Sequence, residues 1–202
     1  MNRNQKIAAG IWLLVAAVYP LAAQSNTADV FGGYSYTKAN PLVLLPKENM
    51  NGWVVSASGF ANSWFGAGLE ISGSFGHITA PSSTGAPNPS FKEYSYLVGP
   101  QFRFLNMAKV RSSFKLMLGG AFGQVNLDSS TTPAQAQALA AAGISGFNQT
   151  KFAALFAVPV DVTVTRLVGI RVEPGLYLTD FSKTKQSNFR FSVGPVFRFG
   201  GR

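Results

Sequence analysis

From Phe65 to His77 the chain alternates between apolar and small or polar residues without a break. Phe65, Ala67, Leu69, Ile71, Gly73 and Phe75 share one parity. Gly66, Gly68, Glu70, Ser72, Ser74 and Gly76 share the other. Side chains of a strand point alternately to opposite faces, so this run is a strand with one apolar and one small, polar side. The pattern returns three times. Tyr94, Tyr96, Val98, Pro100, Phe102 and Phe104 oppose Ser95, Gly99, Gln101 and Arg103. Phe152, Ala154, Phe156, Val158, Val160, Val162 and Val164 oppose Asp161 and Thr163. Phe189, Phe191, Val193, Pro195, Phe197 and Phe199 oppose Asn188, Arg190, Ser192, Gly194, Val196 and Arg198. Fainter strands are expected near 29–37, 52–62, 110–125 and 168–179. In the first of these the parity stays open, because Val30 and Phe31 are both apolar. In the last two, Lys115, Arg171, Glu173 and Tyr177 take the polar side.

Which face meets the solvent follows from composition. Charged residues are 12% and aromatics 13%, whereas soluble domains carry about 25% charged residues. A water-filling face should be rich in Lys and Glu, yet the polar parity here is mostly Gly, Ser, Ala and Thr. After Gln24 no apolar stretch reaches helix-spanning length. The expected fold is therefore all-β: a transmembrane up-and-down antiparallel β-barrel of about eight strands, apolar side toward lipid. Connectors support it. Joins near Asn62-Ser63, Leu105 to Lys109 and Thr165 to Leu167 are short, and those at 38–51, 78–91, 126–150 and 180–187 are longer. That is the alternation of periplasmic turns and extracellular loops.

The first residues differ. Arg3 and Lys6 precede an apolar run from Ile7 to Tyr19, then Leu21-Ala22-Ala23. This is the layout of a signal peptide over 1–23, leaving a barrel domain over 24–202. A retained anchor helix is the competing reading, although the run is short of the roughly 20 residues a spanning helix needs.

An eight-stranded barrel is just wide enough for its side chains to fill it. The polar parity then brings Glu70, Arg103, Lys115, Asp161, Arg171, Glu173, Arg190 and Arg198 indoors, where ions must pair or cost several kcal/mol each. Either a static salt-bridge core or a narrow polar path follows. Aromatics near strand ends (Tyr34, Tyr36, Trp53, Trp64, Phe65, Tyr94, Tyr96, Phe102, Phe104, Phe197 and Phe199) suit two interfacial girdles. Pro100, Pro159, Pro174 and Pro195 fall inside strands, and each should mark a bulge or a skipped bond. Residues 98–104 (VGPQFRF) and 193–199 (VGPVFRF) echo each other at six of seven positions, at the ends of two strands descending to the same rim.

The segments DVFGGYSYT (29–37), NGWVVSASG (51–59), NSWFG (62–66), EYSYLVGPQFRF (93–104) and NFRFSVGPVFRFG (188–200) resemble the OmpA-like outer-membrane β-barrel domain proteins. The resemblance spans nearly all of the chain after the signal segment. It implies an eight-stranded barrel in the outer membrane. It also implies a terminal aromatic recognised by the barrel-assembly machinery, for which Phe199 is the candidate, followed here by Gly200, Gly201 and Arg202.

Candidate sites are few. There is no Cys and one His, so thiolate metal sites are excluded, and no cofactor or metal is expected. His77 sits at the outer end of a strand with Glu93 on the neighbouring strand end. No Ser–His–acid spacing is evident, so the chain is not expected to be an enzyme. Removing Arg3 and Lys6 from 17 basic residues leaves 15 against 8 acidic ones, an excess of seven. The bases scatter, which argues against nucleic acid. Lys38, Lys47, Lys92, Lys151, Lys183 and Lys185 gather at the loop-bearing end. There they either meet lipopolysaccharide phosphates or form a solvated rim. Thr132, Pro133 and Gly143 bracket an Ala-rich run that should form a short helix over the mouth, either a plug, a partner surface or a tolerated insertion. The leading expectation is a monomeric outer-membrane barrel with a structural, envelope-integrity role or a narrow pore. Its partners would be outer-membrane lipid, lipopolysaccharide and the barrel-assembly machinery. A surface adhesion or receptor module acting through the loops is the alternative, and a lipid-modifying enzyme the third.

Overall fold

The computed structural model describes residues 27–39, 48–142, 144–180 and 186–200. The signal segment 1–23 lies outside them, as do Gly143, Lys47, Lys183 and Lys185. Nine strands run in chain order: β1 (Thr27–Ala39), β2 (Glu48–Phe60), β3 (Phe65–His77), β4 (Ser90–Asn106), β5 (Val110–Asn126), β6 (Phe147–Ala157), β7 (Val160–Thr163), β8 (Val168–Thr179) and β9 (Gln186–Gly200). Apart from β6 and β7, which do not pair with each other, sequence neighbours pair antiparallel, and β1 pairs with β9, so the sheet closes on itself. β6 and β7 share the neighbours β5 and β8 and form one interrupted span. The nine segments are thus eight crossings of one ring, and among the described residues no strand is left with a partner on one side only. No described helix is long and apolar enough to cross a membrane.

The short turns are built by local side-chain bonds. Asn62 Oδ1 accepts from the N–H of Trp64 (3.0 Å) and Phe65 (2.7 Å). Thr165 Oγ1 accepts from Val168 N–H at 3.0 Å. Such residues offer the backbone a turn in place of a ladder bond. All three short turns lie at one end of the barrel and the long connections at the other.

All four prolines coincide with breaks in pairing. In register, β4 and β5 pass from Val98↔Leu118 to Gln101↔Lys115, skipping Gly99 and Pro100. β1 and β9 pass from Phe31↔Val196 to Tyr34↔Val193, skipping Gly194 and Pro195. The register is unchanged across each skip, so these are lost bonds rather than bulges. The echoed Gly-Pro pairs therefore do the same job in two strands. Pro cannot donate, so the carbonyl facing it leans over the preceding glycine. A methyl on Gly99 would overlap the Leu116 carbonyl oxygen, and one on Gly194 the Gly32 carbonyl oxygen. Pro159 lies in the gap between β6 and β7, and Pro174 faces that gap from β8. Val158 N–H still reaches the Pro174 carbonyl at 3.0 Å, and Ser113 N–H the Pro159 carbonyl at 3.2 Å. The one register shift in β4 falls between Arg103 and Leu105, where Phe104 bulges outward.

Apolar parity looks out. Phe65, Tyr96, Val98, Phe102, Phe114, Leu118, Phe156, Ile170, Leu176, Phe189 and Phe197 are exposed, while the alternate residues are buried within. In β1 the open parity resolves with Asp29, Phe31, Ser35 and Thr37 inside and Tyr34 outside. Aromatics cluster at both ends of the apolar belt. Trp64, Phe65 and Phe102 pack together at the short-turn end, with ring centroids 5.5 to 6.2 Å apart. Phe75 meets Tyr94 edge-on at 5.7 Å toward the loop end.

Gly194→Ala should lower unfolding stability by about 1–3 kcal/mol through overpacking. Gly32→Ala, where an added methyl meets nothing within 4 Å, should be neutral. Urea unfolding in micelles, followed by heat-modifiable gel migration, distinguishes them. Equal stability of the two variants would contradict the close approach at the Gly-Pro step.

Candidate functional site: the charged lumen and its apolar cap

Ten ionisable side chains are buried among the described residues: the acids Asp29, Glu70, Glu93, Asp161 and Glu173, and the bases Arg103, Lys115, Arg171, Arg190 and Arg198. The fully buried signs balance five to five. The eight residues assigned to the lumen from parity all lie there. Asp29 and Glu93 join them. Asp29 was hidden by the ambiguous parity of the first strand. Glu93 shares the parity of Ser95, Gln101 and Arg103, which was the signal available for it.

The charges form two layers. In the middle of the barrel, Lys115 (β5) donates to Glu70 (β3) and to Glu173 (β8) at 3.2 Å. Arg190 (β9) donates to Glu70 and lies 3.6 Å from Glu173. Two acids and two bases from four strands thus close a ring across the lumen. Toward the short-turn end, Arg171 grips Asp161 with two bonds, Nε at 2.7 Å and Nη2 at 2.9 Å. Arg198 reaches Asp161 at 3.4 Å and donates to Thr163 Oγ1 at 2.7 Å. Arg103 reaches Asp29 at 3.4 Å, and Arg171 lies 3.8 Å from the same carboxylate. The guanidinium of Arg103 lies over the Phe60 ring at 3.7 Å, so a π-face screens the flank its acid leaves open. Near this end a slit of about 10 Å³ separates Asp29, Gln101, Arg103, Arg111, Asp161 and Arg171. That is room for about one water.

The interior also holds larger apolar side chains, beyond the Gly, Ser, Ala, Thr and paired ions expected on the polar parity. Leu97, Met117, Ala121, Ala153, Leu155, Ala157 and Tyr177 pack as one buried cluster, and Phe31, Val54 and Val196 as another. At the loop end Ala39, Met50, Ile78, Phe91, Val125, Leu139 and Ile144 form a third. Leu139 comes from helix α1 (Pro133–Ala141). The Thr132 hydroxyl accepts from Gln135 N–H, Gln135 returns a bond to Thr132 N–H, and Pro133 takes the first helical turn. This capping box sets a helix that lowers Leu139 into the mouth. Gln135 also donates to the Gly85 carbonyl at 2.7 Å, tying α1 to the loop after β3. Of the three readings left open for the loop helix, its geometry is that of a plug.

The rim residues divide. Lys38 and Lys92 are exposed on the outward face. Lys151 is not: it lies opposite the fully buried Ala121, on the inward parity, and is half-buried. His77 lies opposite Ser90 in the β3–β4 ladder, while Glu93 points indoors. Phe199 is exposed at the end of β9, opposite Ala28.

Glu70→Leu should cost about 3–5 kcal/mol, because it strands Lys115 and Arg190 in the lumen. Adding Arg190→Met should restore part of the loss. Chemical unfolding of the single and double variants measures it, and a Glu70→Leu barrel as stable as the parent would refute the paired-lumen account.

No family model matches the chain, and no curated protein matches it. Solved structures do. The attachment invasion locus protein Ail of Yersinia pestis superposes with a TM-score of 0.59 at 14% identity, over 87% of this chain and 99% of Ail. Neisserial surface protein A gives 0.61 at 16%, over 85% and 97%. The outer membrane protein OprG of Pseudomonas aeruginosa gives 0.57 at 10%, over 88% and 98%. Ring closure, eight crossings, outward apolar parity and these superpositions agree that the chain has the fold of the small outer-membrane β-barrels, as its resemblance to the OmpA-like domains implies.

Proposed function

We propose that the protein sits in the bacterial outer membrane as a closed, non-conducting barrel whose role is structural rather than catalytic. The observation that carries this reading is the lumen itself. Four acids and five bases bridge it in two layers, and an apolar cluster packs at the loop end. A pore needs a continuous water path, and direct ion pairs across the lumen above a slit of about 10 Å³ stand against one. An ion crossing the layers would have to break pairs buried in low dielectric, each worth several kcal/mol.

Orientation follows from the connections. Short turns face the periplasm and the long, capped loops face outward, as in such barrels generally. Phe199 then closes the periplasmic end of β9, the place where an aromatic would be read by the barrel-assembly machinery. The scaffold presents a closed wall and a loop helix tied to the loop after β3, suited to holding lipid and neighbours in place rather than to passing solutes.

Two measurements test this. Reconstituted in planar bilayers, the protein should give no discrete current steps; reproducible single-channel openings would contradict the closed-lumen reading. On cell fractionation it should sediment with the outer membrane and migrate faster on gels when unheated. Recovery as a soluble periplasmic protein would overturn the membrane assignment.

A further inference from the structure

A groove of about 470 Å³ opens on the outside of the wall at the loop end of β2, β3 and β4. Its chemistry is set by register. Tyr34 lies opposite Trp53, and Gly73 opposite Tyr94, giving an aromatic row above the aliphatic belt. One step outward, Tyr36 lies opposite Asn51, Asn51 opposite Phe75, and Phe75 opposite Lys92. One further step sets Lys38 opposite Asn49 and His77 opposite Ser90. Amides, a hydroxyl, an imidazole and cations thus stand directly above the ring belt, the depth of lipid headgroups. These rows stop at the barrel seam, where β9 sets Phe189 opposite Lys38 and Phe191 opposite Tyr36. The polar sector is therefore local and not a uniform rim.

The groove is arranged to donate. Tyr36 Oη donates to Asn49 Oδ1 at 2.6 Å, and Tyr34 Oη to Asn51 Oδ1. With their oxygens held, both amides keep their NH₂ groups for an incoming acceptor. The one carboxylate lining the groove, Glu48, accepts from Thr79 N–H at 2.7 Å. Lys92 forms no ion pair among the described residues. Its charge is left for an anion.

We propose that this groove holds the phosphorylated sugar head of an outer-leaflet glycolipid, with Lys92 on a phosphate, Asn49 and Asn51 on sugar or phosphate oxygens, and the acyl chains running down past Phe75 and Tyr94. The proposal rests on the outer-membrane reading above and names the lipid that this sector of the wall selects. The groove's volume falls within the range of small-ligand sites.

Native mass spectrometry of the membrane-purified protein in detergent micelles tests it, with lipid A as the probe. One bis-phosphorylated lipid A should stay bound. Removing its phosphates, or introducing Lys92→Gln with Asn51→Leu, should each weaken retention about tenfold. Lys92→Gln alone serves if the double variant fails to show heat-modifiable migration. Lys151→Gln, on the inward parity, should change nothing. Retention by the Lys92 variants equal to the parent would overturn the site. Displacement of lipid A by equimolar inorganic phosphate would overturn the lipid as occupant. Failure of the parent itself to fold as a heat-modifiable barrel would instead refute the membrane reading on which the site rests.

Discussion

In hydrocarbon a backbone N–H has no water to fall back on, so every strand must be paired on both sides. The pairing of β1 with β9 meets that demand, and most of the other features of the molecule accommodate it. Prolines sit where a ladder bond is lost anyway. Two of them follow glycines that let the unpaired carbonyl of the next strand lean close. The other two share a single interruption between β6 and β7, where main-chain bonds from Val158 and Ser113 still stitch the wall. The wall stays continuous although four of its residues cannot donate.

Closing the ring fixes what the lumen must hold. Alternation sends one side chain in two inward, and an eight-strand circumference leaves little space for water. Charges placed there are costly unless paired, and all of them but Glu93 have an ion-pair partner. The Glu70, Lys115, Glu173 and Arg190 ring and the Asp161 cluster supply the pairs from strands far apart in sequence, such as Glu70 with Arg190. The same bonds therefore cross-brace the wall and obstruct the passage. At the loop end apolar residues take over, and α1 adds Leu139 to their cluster.

The strands, their parity and the positions of eight lumen charges were legible because a period of two survives in almost every span. What was not legible has physical reasons. Asp29 was hidden because Val30 and Phe31 give β1 two apolar candidates in a row, and only pairing with β2 and β9 decides between them. Met50, Leu97, Phe91 and Val125 face inward although apolar, since a barrel packed with side chains needs a core as well as a lipid-facing coat. Parity places Leu97, Phe91 and Val125 inside; only their apolar character points toward lipid. Lys151 looked like its fellow lysines because loop-end position says nothing about parity. The groove beside Lys92 was not read at all, because it depends on the register of four strands.

Everything in this barrel turns on which parity meets lipid. The chain has no cysteine, so single cysteines placed along residues 94–104 of β4 can carry spin labels one at a time in lipid bilayers. Collision with oxygen, which concentrates in hydrocarbon, should rise at Tyr96, Val98 and Phe102 and fall at Ser95, Leu97 and Gln101, alternating residue by residue. The opposite phase, or no alternation, would contradict an outward apolar wall around a paired, charged interior.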